Sequence, residues 1–95
     1  MPIDVRYLEW DEDDEEHLAR HGVSASEVAQ LLTNENVIAS NPHGMAGTIR
    51  LIGHTNGGRL LTVVLEPTRD QTTWRPVTAW PTTKAEETAS ERTTR

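Results

Sequence analysis

The sequence contains no cysteine and no phenylalanine among its 95 residues. Without cysteine the chain forms no disulfide, no thiolate metal site and no cysteine nucleophile, which excludes secreted disulfide scaffolds and favours a reducing cytoplasm. Its apolar runs are only a few residues long and no basic, then apolar, leader follows Met1, so we expect neither a membrane span nor a signal peptide. The length predicts a single domain over residues 1–95, with residues 91–95 frayed.

Basic residues are also scarce. The sequence has nine lysines and arginines and fifteen aspartates and glutamates, which gives a net charge of −6. This balance argues against a sequence-independent nucleic-acid binder, whose affinity comes from neutralising phosphates. The excess is uneven along the chain. Residues 1–47 hold ten acids and two bases, a net charge of −8, whereas residues 48–95 hold five acids and seven bases, a net charge of +2. The charge balance therefore does not exclude a basic site in the second half of the chain.

Most of the acidic excess is one block of six consecutive carboxylates, residues 11–16. The block predicts the start of a helix with Asp11 as its N-cap and Gly22 at its C-cap. Carboxylates in the first turn complement the helix dipole and the free N–H groups there. Glu16 precedes Arg20 by four residues, the favourable order for a helical ion pair. A solvated helix face is therefore the simplest interpretation of this acidic block.

A second helix follows, and its start is the clearest local signal in the sequence. Ser24 and Glu27 have the spacing of a capping box, and Val23 and Val28 occupy the positions of a hydrophobic staple. Apolar residues then recur at helical spacing as far as Leu32. This stripe predicts a helix that buries one face in a core.

The remaining signals are those of strands. Asn56-Gly57 supplies two residues that tolerate positive φ, so the apolar runs 48–54 and 59–65 are predicted to form a hairpin. Pro76 cannot donate to a ladder, so the last strand is expected to be an edge or bulged there. Alternation predicts one face with Trp74, Pro76, Thr78 and Trp80 and the other with Arg75, Val77 and Ala79. The other predicted elements are a first strand at residues 5–10, a short strand at residues 37–40 and a weak helix from residue 83.

The predicted order is strand, helix, helix, an antiparallel meander of three to four strands and a weak C-terminal helix. This is an α+β architecture with helices on one face of a sheet. Four stretches in it carry a further signal: Glu9-Trp10-Asp11, Ala19-Arg20-His21-Gly22-Val23-Ser24, Gly57-Gly58-Arg59-Leu60-Leu61-Thr62-Val63-Val64 and Arg75-Pro76-Val77-Thr78-Ala79. In this order they resemble BrnT-type toxins of bacterial toxin–antitoxin pairs, over residues 7–90.

The resemblance implies a RelE-like ribonuclease fold and inhibition of translation through RNA cleavage. It also implies neutralisation by a BrnA-like antitoxin with a ribbon-helix-helix part, and DNA would be bound only through the toxin–antitoxin complex. The chain lacks basic residues at two positions where the family pattern has them. A lysine usually follows the Trp-Asp pair, where this chain has the acidic block, and basic residues usually follow the last strand, where this chain has Trp80.

Metal-independent RNA cleavage requires a base for the 2′-hydroxyl, cations for the phosphoryl oxygens and an acid for the leaving oxygen. His17 and His21 are the candidate acid and base, because an imidazole titrates near neutrality. Arg59 and Arg75 each lie near the start of a strand and are expected to clamp one phosphate together. Neither a metal nor another cofactor is expected. The candidate RNA-binding residues are Arg20, Arg50, His54 and Trp80.

Each candidate also has a structural interpretation. His21 stands before a glycine, where it can satisfy a carbonyl at the end of a helix. Arg20 can be only the partner of Glu16, and Arg59 can be a solvated residue after a hairpin turn. Arg75 can stack on a neighbouring tryptophan.

The strand and tryptophan candidates have structural alternatives as well. Arg50 and His54 are cross-strand partners by default. The tryptophans could stack on bases, but in a chain without phenylalanine they are also the large core residues, Trp10 especially. His17 and His21 share a helix face at metal-ligand spacing, yet no third ligand is identifiable, so no metal is assigned.

The sequence therefore predicts a toxin-like ribonuclease, whose acidic block would dock a basic part of its antitoxin. The candidate partner-binding residues are Asp11, Asp13, Asp14 and Glu15. The alternative is a related domain that has lost catalysis and acts as a protein-binding or regulatory module. The chain has no phosphate-binding loop or nucleophile elbow that would favour a small-molecule enzyme.

Overall fold

The elements of the fold follow the predicted order. The structure is a computed structural model that describes residues 3–41 and 47–82. Its elements are β1 (Tyr7–Leu8), α1 (Glu12–Arg20), α2 (Ala25–Thr33), β2 (Asn36–Ser40), β3 (Ile49–His54), β4 (Leu60–Pro67) and β5 (Thr73–Pro81). The α+β architecture is thereby confirmed. The weak helix predicted from residue 83 and the frayed end lie outside the described residues.

One mixed sheet contains all five strands in the order β1-β5-β4-β3-β2. The strands β2 to β5 form the predicted antiparallel meander. The first strand is shorter than the predicted residues 5–10, because only Tyr7 and Leu8 pair with β5, in parallel. The chain leaves the sheet directly afterwards, since the Asp11 side chain accepts a hydrogen bond from the Asp14 N–H at 2.8 Å and caps α1. No helix among the described residues is long and apolar enough to cross a bilayer.

The start of α2 confirms the predicted capping box. The Ser24 hydroxyl accepts from the Glu27 N–H at 3.1 Å, and the Glu27 carboxylate accepts from the Ser24 N–H at 3.1 Å. Val23 and Val28, the predicted staple, are both buried. The four-residue connection between α1 and α2 is therefore held from both of its ends.

The core lies between the two helices and one face of the sheet. Its members are Leu18, Val23, Val28, Leu31, Ile49, Leu51, Leu61, Val63, Leu65, Trp74 and Ala79. Trp10 packs against this cluster while partly exposed, as expected for a large core residue. Each buried aliphatic side chain contributes about 1.5–3 kcal/mol relative to exposure, so this single cluster is the main source of stability. It fixes α1 across the sheet, which decides where the charged side chains of α1 lie.

The hairpin between β3 and β4 is present, but its turn differs from the prediction. Among the described residues only glycines have positive φ, and here that residue is Gly58 (φ +85°). The Gly58 N–H donates to the Thr55 carbonyl oxygen at 2.9 Å, which is typical of a type I turn followed by a left-handed residue. The turn is tied to α2 and its cap, because the Asn56 N–H donates to the Gln30 side chain and the Asn56 side chain accepts from Asn34.

The alternation predicted for β5 is wrong beyond Pro76. Leu65 pairs with Pro76 and Val64 pairs with Thr78, so the strand bulges at the residue between them. The bulge was one of the two predicted consequences of the proline. It shifts the phase of the strand by one residue, so that Ala79 joins Trp74 in the core instead of facing away from it.

Candidate functional site

Three of the candidate residues lie together at the end of α1. His17, Arg20 and His21 are all exposed, and the two imidazole rings meet edge to face with centroids 5.1 Å apart. Among the described residues no carboxylate pairs with Arg20, so the predicted Glu16 ion pair is wrong. Both side chains are exposed, where such a helix pair gains only about 0.3–0.5 kcal/mol over hydration of the two charges. Arg20 is therefore available to a ligand.

Backbone geometry fixes these side chains at the helix end. The Gly22 N–H donates to the Ala19 carbonyl oxygen at 2.9 Å, and the Val23 N–H donates to the Leu18 carbonyl oxygen at 3.0 Å. This is a Schellman motif, and it requires the positive φ of Gly22, which is +76°. The backbone N–H of His21 also bonds within the last turn, to Leu18 at 3.0 Å. The predicted glycine C-cap is thereby confirmed.

Arg59 joins this group from the sheet. It lies just before β4, and its Nη1 donates to the Gly22 carbonyl oxygen at 2.8 Å. The same atom lies 3.2 Å from Oε2 of Glu27, with which it forms an ion pair. Two candidate histidines and two candidate arginines thus lie at one end of α1, and we call His17, Arg20, His21 and Arg59 the α1-end cluster.

Acidic side chains border the α1-end cluster. A cleft of about 360 Å³ beside α1 is lined by Asp13, Asp14, Glu16, His17, Arg20 and Val77. The negative charge of these carboxylates opposes the binding of a phosphate group beside them. Among the described residues no group of three or more His, Asp or Glu side chains is arranged to hold a metal ion.

Arg75 lies apart from the cluster, at the other end of α1. Its guanidinium contacts three carboxylates, with Nη2 2.8 Å from Glu66, Nε 3.5 Å from Asp14 and Nη1 3.9 Å from Asp11. The expectation that Arg75 stacks on a tryptophan is replaced by this ion-pair network. Its charge is committed to holding α1 against the sheet.

The predicted two-arginine clamp is wrong. Because β4 and β5 are antiparallel, Arg75 pairs with Glu66 near the end of β4, whereas Arg59 precedes the start of that strand. Seven residues of extended chain separate the two positions by roughly 20 Å. Two strand starts meet at one edge of a sheet only when the strands are parallel. The two guanidinium groups therefore cannot bind one phosphate together.

Asp14 is a structural carboxylate within the acidic block. It is only 8% exposed, and burial raises its pKa above the usual 3.8, although the nearby Arg75 charge acts in the opposite direction. Its Oδ2 and the Nε of Arg75 are buried without a hydrogen bond, in spite of their 3.5 Å approach. The assignment of Asp14 to a partner-binding surface is therefore wrong, because a partner cannot reach its carboxylate. Asp11 also has a structural role, as the cap of α1.

The other candidates lie on the opposite face of the sheet. Arg50 and His54 alternate with the core residues of β3, and Trp80 pairs with Thr62, whose neighbours in β4 are core residues. The Nε of Arg50 donates to the Ser40 carbonyl oxygen at 2.9 Å, which is the cross-strand role expected by default. The sheet therefore separates Arg50, His54 and Trp80 from the α1-end cluster.

Comparison with known proteins links this arrangement to a solved structure. No family model matches the chain, and no curated protein matches it in sequence. The chain is similar in structure to the ribonuclease toxin BrnT from Brucella abortus, with a TM-score of 0.53, over 87% of this chain and 100% of that chain. The chain has a BrnT-like fold. Only 13% of the residues are identical, so this likeness concerns the fold.

Sequence reasoning missed the role of Glu27 and Gly22 at the site. The sequence marks Glu27 only as a capping residue and Gly22 only as a helix end, yet both hold Arg59. No local signal could have revealed this, because Arg59 is 32 residues from Glu27 and 37 from Gly22 in the sequence. The contact follows from the packing of α2 on the sheet.

Proposed function

We propose that this chain is a toxin-like, metal-independent ribonuclease with a RelE-like fold, and that the α1-end cluster is its RNA site. The observation that supports this most is the likeness to a ribonuclease toxin along the whole length of that toxin. The two histidines and two arginines of the cluster, which come from α1 and the sheet, add a place for the chemistry. The proposal assigns inhibition of translation to the cleavage of RNA.

The roles follow from the chemistry of phosphodiester cleavage. One imidazole of the pair His17 and His21 takes the proton of the 2′-hydroxyl, and the other gives a proton to the leaving 5′-oxygen. The 2′-oxygen then forms a bond to phosphorus while the bond to the 5′-oxygen breaks. Arg59 stabilises the charge on the phosphoryl oxygens, and Arg20 binds a neighbouring phosphate. Arg75 has no part in this scheme, since three carboxylates already surround it.

An antitoxin partner belongs to the same proposal. Glu12, Asp13, Glu15 and Glu16 are exposed on α1, at the end opposite the cluster or along its flank. A basic segment of a BrnA-like antitoxin would be attracted to this surface, and by lying along α1 it would cover the RNA site. Binding of DNA would then belong to the ribbon-helix-helix part of the partner. Asp13 and Glu15 remain the proposed partner-binding residues from the acidic block.

Induction of the chain alone in bacteria tests the ribonuclease proposal. We expect growth to stop and RNA to fragment, and we expect His21→Ala to relieve both effects. Arg69→Ala is the matched control, because Arg69 is exposed and lies in the turn before β5, far from the cluster. Normal growth with intact RNA, at an expression level verified by immunoblot, would overturn the proposal.

The alternative is a BrnT-like binding module without catalysis. It is favoured by the acidic lining of the cleft beside the cluster and by the loss of Arg75 to an ion-pair network. In that case the purified chain would bind a basic partner at α1 and leave single-stranded RNA intact. Charge reversal at Asp13 and Glu15 would then weaken partner binding, whereas His21→Ala would change nothing.

A further inference from the structure

Glu27 takes part in two interactions at once. Its Oε1 accepts from the Ser24 N–H at 3.1 Å and lies 3.3 Å from the Ser24 hydroxyl, which completes the capping box. Its Oε2 lies 3.2 Å from Nη1 of Arg59. A capping box needs only one side-chain oxygen at this position, which is why glutamine serves there as well as glutamate. The second oxygen is therefore free to hold the arginine.

Arg59 is anchored by one nitrogen only. Both N–H groups of Nη1 are used, one by the Gly22 carbonyl oxygen at 2.8 Å and one by Glu27. Within the described residues, neither Nε nor Nη2 of Arg59 makes a hydrogen bond. These two nitrogens form the side of the planar fork that binds two oxygens of a phosphate. The side chain is 40% exposed, so a ligand can reach it.

Two anchors on Nη1 hold the guanidinium plane, whereas a single hydrogen bond to Gly22 would let it rotate. We infer that Glu27 is a positioning residue, which orients the Nε and Nη2 edge of Arg59 toward a phosphodiester of RNA. This inference rests on the proposed function, and it identifies the phosphodiester backbone as the group that Arg59 recognises.

Charge alone predicts the opposite result for a change at Glu27. If the carboxylate merely neutralised Arg59, its removal would strengthen the binding of RNA. If it only capped α2, a glutamine would replace it without effect. The orientation of Arg59 by Glu27 instead requires that glutamine weaken binding, since the amide N–H that replaces Oε2 cannot accept a hydrogen bond from Nη1. The three explanations therefore predict different effects of Glu27→Gln on RNA binding. Charge neutralisation predicts tighter binding, capping predicts no change, and orientation of Arg59 predicts weaker binding.

The test measures the affinity of the whole chain for a single-stranded 2′-O-methyl RNA, which cannot be cleaved. Glu27→Gln is expected to weaken binding about tenfold, in line with the loss of one charge-assisted hydrogen bond. Glu35→Gln is the matched control, because it removes the same charge from an exposed residue after α2. The unfolding midpoint of each variant checks that the helix cap is kept. In an Arg59→Ala background, Glu27→Gln is expected to have no further effect.

The outcomes separate this inference from the proposed function. Unchanged or tighter binding by Glu27→Gln, or an equal loss with and without Arg59, would overturn the role of Glu27. Failure of the wild-type chain to bind RNA would overturn both the role and the proposed function. Binding that depends on Glu27 and Arg59, together with intact cleavable RNA, would support the positioning role and overturn the catalytic part of the proposed function.

Discussion

Replacing Arg75 by alanine would show whether this arginine is structural. The substitution removes the partner of three carboxylates, of which Asp11 and Glu66 have side chains 54% and 31% exposed and Asp14 has a side chain only 11% exposed. Each of the two more exposed pairs is worth about 0.2–1 kcal/mol. The buried Asp14 carboxylate would be left without compensation, which costs about 1–3 kcal/mol. We therefore expect Arg75→Ala to lower the free energy of unfolding by roughly 1.5–5 kcal/mol.

Urea unfolding followed by tryptophan fluorescence measures this loss, because Trp74 is buried beside Arg75. Arg69→Ala is the control, and as an exposed residue that pairs with no carboxylate in the described part of the chain it should change stability by less than about 0.5 kcal/mol. Adding Asp14→Asn to Arg75→Ala should recover the part due to the buried carboxylate. If Arg75→Ala is as stable as the wild type while RNA cleavage is lost, the reasoning is refuted and Arg75 is catalytic, as the family resemblance implied.

Three further changes test the fold around the site. Burial raises the pKa of Asp14, so its carboxyl group holds a proton more tightly in the folded chain than in the unfolded chain. The free energy of unfolding therefore falls as the pH rises from 3.8 through the folded pKa. Asp14→Asn should therefore raise the free energy of unfolding at pH 7 but not below pH 3.8, and equal stabilities at pH 7 would contradict this. Gly22→Ala should cost about 1–2 kcal/mol because of its positive φ, whereas Gly57→Ala, without positive φ, should not. Leu18→Ala should cost about 2–5 kcal/mol in the same unfolding assay, and a smaller loss would mean that α1 is not held by the core.

The pH dependence has a second contributor of opposite sign. Hydrogen bonds from the N–H and hydroxyl of Thr72 lower the pKa of the exposed Asp70. Its contribution to stability is present above the usual pKa and is lost as the pH falls through the lowered value. The turn before β5 and the α1 contact with β5 therefore respond to acid in opposite directions.

The sequence alone determined the features that depend on neighbouring residues. Asp11 and Gly22 marked the two ends of α1, and the Ser24 and Glu27 pair marked the start of α2, because caps are made by hydrogen bonds across three to five residues. The turn after β3 was located correctly, although its type was not. Pro76 indicated a bulge for a similarly local reason, the missing N–H group.

Tertiary structure alone decided which charges meet. The antiparallel register of β4 and β5 moves Arg75 away from Arg59 and toward Glu66, and the core of α1 then brings Asp14 against it. The packing of α2 on the sheet brings Glu27 to Arg59. Sequence periodicity specifies which side of an element is buried, but it does not specify which element lies opposite, because that depends on contacts between residues distant in the chain. The cluster of two histidines and two arginines at the end of α1 is therefore a product of the fold, assembled from residues that the sequence had marked one by one.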